Sequence, residues 1–154
     1  IAGVWLLLRK IEMTPIGFVK RSSSDEHERD RSLVSKIVFK NEFAKGLDGI
    51  EGWSHVYVIF WMDKIRDKEK TLVHPRGKRK VGIFATRAPI RPNPIGLTLV
   101  ELVKREQNVL WVRGLDAING TPVLDIKPYP DWEEGHWIVV TDFKAPEWAM
   151  KIIN

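Results

Sequence analysis

The chain has 154 residues, 44% of them hydrophobic, with a formal net charge of +5 and no cysteine. That length and apolar content support one domain with a substantial core, and the missing cysteine excludes a disulfide framework and a thiolate metal site. A glycine-rich phosphate loop, a dinucleotide fingerprint, a nucleophile elbow and a zincin motif are all absent, and His27, His55, His74 and His136 lack ligand spacing.

Residues 1–12 read as an N-terminal extension or first edge strand. Their apolar run, Ile1 to Leu8, is too short to span a bilayer. Arg9-Lys10 follows that run instead of preceding it, the wrong order for a secretory signal. No other stretch approaches transmembrane length, so no membrane partner is expected; the histidine spacing and the missing cysteines predict no metal, and the expected location is the cytoplasm.

From residue 13 to 154 one domain is expected. Pro15 to Val19 reads as a strand, residues 20–32 as a charged loop, Lys36 to Phe39 as a strand and Asn41 to Gly52 as a short helix or turn. Trp53 to Trp61 is almost continuously apolar and β-branched or aromatic, which predicts a strand buried on both faces. Residues 64–80 hold eight basic side chains against two acidic ones. Arg76, Lys78, Arg79 and Lys80 dominate this run, the electrostatic footprint of a polyanion, nucleic acid first.

Val81 to Ala85 reads as a strand. The loop Thr86-Arg87-Ala88-Pro89-Ile90-Arg91-Pro92-Asn93-Pro94-Ile95-Gly96 follows. Its prolines fix their own φ and hold Ala88, Arg91 and Asn93 extended. A stiff loop that presents Arg87, Arg91 and Asn93 loses little entropy on binding, and arginine's planar fork suits carboxylates and phosphates.

A strand at 97–103, a turn at 106–108 and a strand at 109–112 come next. Asn119-Gly120 is the strongest two-residue hairpin signal in the chain, followed by a strand at 121–126 whose Pro122 marks an edge or a strand start. Asp116 and Asp125 flank this turn, and two readings stay open: they face one pocket as nucleoside-binding carboxylates or as a base, or Asp116 stabilises the turn and Asp125 forms a surface pair with Lys127. His136 to Val140 reads as another strand and Pro146 to Ile153 as a short helix. Many short strands with frequent turns predict a mainly β domain, a closed or partly closed barrel with short peripheral helices.

Two stretches carry a family resemblance. Phe84 to Gly96 with Leu97 to Leu102, and Leu115-Asp116-Ala117-Ile118-Asn119-Gly120-Thr121-Pro122-Val123-Leu124-Asp125-Ile126-Lys127-Pro128-Tyr129, resemble the two signatures of the TsaA-like family of S-adenosylmethionine-dependent tRNA methyltransferases. Ile16 to Val19 and Gly52 to His55 resemble two weaker ones. The resemblance implies a single-sheeted, non-Rossmann β-barrel that methylates N6 of N6-threonylcarbamoyladenosine beside the tRNA anticodon. It also implies a homodimer with the methyl donor near the subunit interface, and an additional C-terminal domain in longer members.

Carried over by motif, S-adenosylmethionine contacts fall at Arg87, Leu97, Leu115, Asp116, Ala117 and Ile118, with Asp63 and Lys64 as a further contact and Asp30 to Ser32 near another. Asp125 and Tyr129 are the candidates for a base. Lys127 is the candidate for the threonyl carboxylate, and Arg91, Asn93, Arg76, Lys78, Arg79 and Lys80 for the tRNA. Two other readings stay open: a non-catalytic RNA-binding barrel, and a methyltransferase with a different substrate.

Overall fold

A computed structural model describes residues 9–21, 30–67, 72–73 and 80–150, with the backbone alone at 72–73 and Met150. Six strands close into a barrel in the order β1 (Gly17–Lys20), β2 (Val34–Phe39), β7 (Val109–Arg113), β6 (Ile95–Glu106), β3 (His55–Trp61) and β8 (Pro122–Tyr129). Two small ribbons stand apart from it: β4 (Leu72–Val73) pairs with β5 (Val81–Gly82), and β9 (Asp131–Glu133) with β10 (His136–Ile138). This is the mainly β barrel that the strand pattern predicts. Closure leaves no sheet edge, so Pro122 starts β8, where its missing N–H costs no ladder bond.

Alternation sets the wall. Val56, Val58 and Phe60 point inward from β3, and Gly96, Thr98 and Val100 from β6. They meet Val19, Ile37, Leu110, Val112 and Val123 in one core. Trp53 to Trp61 is therefore not buried on both faces: His55, Tyr57, Ile59 and Trp61 face outward and are half-covered. The run is continuously apolar because the outer wall is apolar too, with Ile95, Leu97 and Leu99 exposed beside it on β6.

Several expectations shift in detail. Only Val81–Gly82 of the predicted 81–85 strand is extended, because Ile83–Ala85 turns into a 3-10 helix that buries Ile83 and is closed by the Thr86 hydroxyl donating to the Ile83 carbonyl at 2.9 Å. The 41–52 segment forms two 3-10 stretches, Asn41–Leu47 and Ile50–Gly52. Residues 9–12 carry no strand, residues 1–8 lie outside the described residues, and Glu147–Met150 forms a single helical turn.

Asn119-Gly120 is a turn but not a hairpin. β7 and β8 stand on opposite sides of the barrel with two strands between them either way round, so residues 114–121 cross the barrel's end. Leu115 and Ala117 point into the core and plug that end, while Asp116 faces solvent. β2 and β3 are opposite in the same way, and Asn41–Gly52 crosses the other end with Leu47 as its plug. There Arg105 binds the Leu47 carbonyl, Asp48 and Glu51, each at 3.0 Å. A bond from its own backbone N–H, and then Arg105, hold the Glu51 carboxyl below its usual value. That clasp contributes at neutral pH and is lost as pH falls through the lowered value.

Candidate active site

The end of the barrel crossed by residues 114–121 carries two adjoining concavities of about 570 and 400 Å³, within the range of small-molecule sites. Phe60, Met62, Arg87 and Asp116 line both. Arg91, Asn93 and Leu97 belong to the larger, and Asp63, Lys64, Ala117 and Ile118 to the smaller. The residues that the family motifs nominate for the donor thus converge on one mouth although they come from three separate connections. Leu115 is the exception in kind: its side chain is fully buried, so only its backbone can serve a ligand.

Each connection is held by its own chemistry. The proline loop is tied back where Pro94, buried, accepts the Met62 N–H at 2.8 Å. Arg91 turns its guanidinium inward and donates to the Thr86 and Ala88 carbonyls, both at 3.1 Å. Arg91 is therefore first a staple of this loop, and its half-exposed remainder lines the larger concavity. Arg87 donates to the Leu97 carbonyl and stays exposed.

The crossing loop is clamped from below by two arginines: Arg31, within the Asp30 to Ser32 stretch that the resemblance places near the donor, and Arg21, which sequence reasoning passed over. Arg21, 8% exposed, donates to the Ala117 carbonyl at 3.1 Å and to the Asp30 carbonyl at 2.9 Å, and its N–H reaches the Asn119 side chain. Arg31 donates from Nε to the Gly114 carbonyl at 3.1 Å and lines the larger concavity. Gly114 has φ +98, a conformation that glycine adopts without strain. Phe60 and Met62 were missed as well; strand alternation through Val56 and Val58 was the signal that Phe60 points inward at the strand's end.

Asp125, Lys127 and Tyr129 are not brought to this mouth. They sit on the outer wall of β8 opposite Ile59, Tyr57 and His55 of β3. Asp125 pairs with Lys127 at 3.1 Å and borders a third concavity at the far end of the barrel. The expectation that Asp116 and Asp125 share one pocket therefore fails within a single chain, because the crossing loop and β8 carry them to different parts of the surface. Arg76, Lys78 and Arg79 lie outside the described residues, and Lys80 is exposed. Among the described residues no cluster of three His, Asp or Glu could hold a metal, and no helix is long and apolar enough to cross a membrane.

Residues 23–132 match the tRNA-methyltransferase O N-terminal domain. The chain belongs to this family. A relative described as a probable S-adenosyl-L-methionine-binding protein, from Methanothermobacter thermautotrophicus, is 44% identical over 126 residues, 78% of this chain and 90% of that one. A Mus musculus protein named tRNA (adenine(37)-N6)-methyltransferase is 41% identical over 86% of this chain but only 29% of its own length. Among solved structures, a TrmO from P. aeruginosa superposes with a TM-score of 0.71 at 29% identity, covering 92% of this chain and 62% of that one. The chain thus spans less than two thirds of that TrmO. The matched residues hold five of the six barrel strands and both end-crossing connections, and the candidate site lies at the mouth beneath one of them.

Proposed function

We propose that this protein transfers the methyl group of S-adenosylmethionine to N6 of the adenosine at position 37 of tRNA, the preferred substrate being N6-threonylcarbamoyladenosine. The observation that carries the reading is the mouth itself: Arg87 and Asp116 border both concavities over an apolar floor of Phe60 and Met62. When bound, S-adenosylmethionine supplies an electrophilic methyl group together with a carboxylate, an amine and a ribose. Arg87 suits the carboxylate through its planar fork. Asp116 suits a ribose hydroxyl or the amine. Ala117 and Ile118 offer apolar contact to the adenine ring, and Asp63 and Lys64 close the rim. Phe60 and Met62 exclude water and keep the reacting atoms aligned, the main contribution to be made in an in-line displacement. Asn93 and Arg91, on the other lip, face the incoming nucleotide.

The target nitrogen lies between a purine ring and a carbonyl, so its proton is acidic enough for a weak base. Asp125 or Tyr129 fills that role in this reading, with Lys127 on the threonyl carboxylate, only if a second copy of the chain brings them to the mouth. A homodimer supplies that copy. Its interface would be the outer wall of β3 and β6, where Tyr57 and Ile59 adjoin exposed Leu97 and Leu99 and where Leu97 also borders the larger concavity. The basic run around Lys78, Arg79 and Lys80 would track tRNA phosphates, the reaction would run in the cytoplasm, and neither metal nor membrane has a part in it.

Titration with S-adenosylmethionine tests the donor site. Saturable binding that S-adenosylhomocysteine displaces is expected, and a plain RNA-binding barrel would bind neither. Leu99→Asp tests the dimer. Sedimentation should show dissociation to monomers with loss of methyl transfer, since a charge directly on an apolar interface is costly to desolvate. An intact, active dimer would contradict that interface.

A further inference from the structure

The outer wall on the opposite side of β6 from the apolar face holds a feature that neither the motifs nor the mouth explains. Register places Lys20 opposite Lys36, Lys36 opposite Trp111, and Trp111 opposite Lys104, so four adjacent strands contribute one row. Lys36 lies over the Trp111 ring at 5.3 Å and Lys104 at 4.4 Å. Like charges directly opposite each other on a sheet are destabilising, and among the described residues no carboxylate pairs with Lys20 or Lys36. Lys104 alone is matched, by Glu106 at 2.6 Å. Exposed Phe18 and Val34 flank the row.

The position of this row is as informative as its charge. β1 and β2 meet the donor mouth at Lys20 and Val34, where Arg21 and Arg31 clamp the crossing loop. Arg113, held by Glu101 at 2.7 Å, stands between the row and Arg31. Basic side chains thus extend from the outer wall toward the rim of the mouth, with Arg113 neutralised by Glu101 on the way. Three strand spacings make the row roughly 14 Å long, enough to follow a length of polymer backbone and too long for a single free phosphate.

We infer that this row is a second tRNA contact, separate from the run at 64–80. Lys20 and Lys36 take backbone phosphates, and Trp111, whose ring now lies under the Lys36 and Lys104 ammonium groups, supplies an aromatic face on which a base stacks once those groups turn to phosphates. The inference rests on the reading that tRNA is the substrate. In that setting a lysine pair that no described carboxylate neutralises is what an anionic partner needs, and RNA offers phosphates for the charge and bases for the aromatic face.

The test is Lys20→Glu/Lys36→Glu in the full chain, with Lys20→Gln/Lys36→Gln beside it in case charge reversal disturbs folding. Binding of tRNA is measured across a salt series, with S-adenosylmethionine titration as the check that the mouth is intact. The expected result is unchanged donor binding, roughly tenfold or greater loss of tRNA affinity in the glutamate variant, and a salt slope shallower by about 1.5 in the glutamine variant, from about 0.7 to 0.9 per lost phosphate contact. Unchanged tRNA affinity and slope in both variants, with tight binding by the wild type, would overturn the inference and leave the tRNA reading standing; the wall would then serve an acidic protein or face water. Absence of tRNA binding by the wild type would overturn both.

Discussion

Asp116→Ala is expected to weaken S-adenosylmethionine binding about 10- to 100-fold while leaving the fold intact. Hydrogen bonds to a charged group contribute about 1.5–3 kcal/mol, and about 1.4 kcal/mol is a factor of ten in affinity. The side chain is exposed, while its neighbours Leu115 and Ala117 are buried and the loop carbonyls on either side are gripped by Arg31 and Arg21. Removing the carboxylate therefore takes away a ligand contact and no structural one. Asp116→Asn separates the two roles open to this residue, because an amide still accepts from a ribose hydroxyl but no longer neutralises an amine. Donor titration of the two variants reads both. Wild-type affinity in Asp116→Ala would remove this residue from the site.

Gly96→Ala is expected to damage fold and site together. Gly96 lies opposite Phe60 across β3 and β6, and a Cβ at this position would clash with the edge of the Phe60 ring. Phe60 is 3% exposed and forms part of the core as well as the floor of both concavities. Its ring must swing away or the strands must part. Overpacking of this kind costs about 1–3 kcal/mol, which in a domain of this size lowers Tm by roughly 2–12 °C. Thermal melting and donor titration should both change. A variant with wild-type Tm and donor affinity would show that the ring yields freely and that the floor is not rigid.

How much of this was legible in the sequence depends on which residues interact locally. The proline loop announced itself, because proline acts on its own φ and on the residue before it, and its Arg87 does reach the mouth. Strand positions followed from short β-branched and aromatic runs between turn residues, and the barrel from the number and shortness of the strands. Closure order was not legible, and its consequences were missed. Asn119-Gly120 signals a tight turn through local φ preferences, but whether the flanking strands pair is decided by the far side of the barrel, so a turn within a crossing loop passed for a hairpin. The same misreading put Asp125 beside Asp116. The clamping role of Arg21 and Arg31 was invisible for a related reason, although the motifs had placed Arg31 near the donor: an arginine that caps distant carbonyls looks in sequence like any solvated cation. The apolar outer face of β3 made the strand look doubly buried, since composition records that a face is apolar and not what covers it.

The most direct test of the proposed activity is transfer of labelled methyl from S-adenosylmethionine to two tRNA pools, one carrying N6-threonylcarbamoyladenosine and one lacking it. Label on the modified pool alone, recovered at N6 of the nucleoside beside the anticodon, is the predicted result. Label on both pools would keep the methyltransferase and discard the role given to Lys127. No label on either pool, with donor and tRNA both bound, would contradict the account.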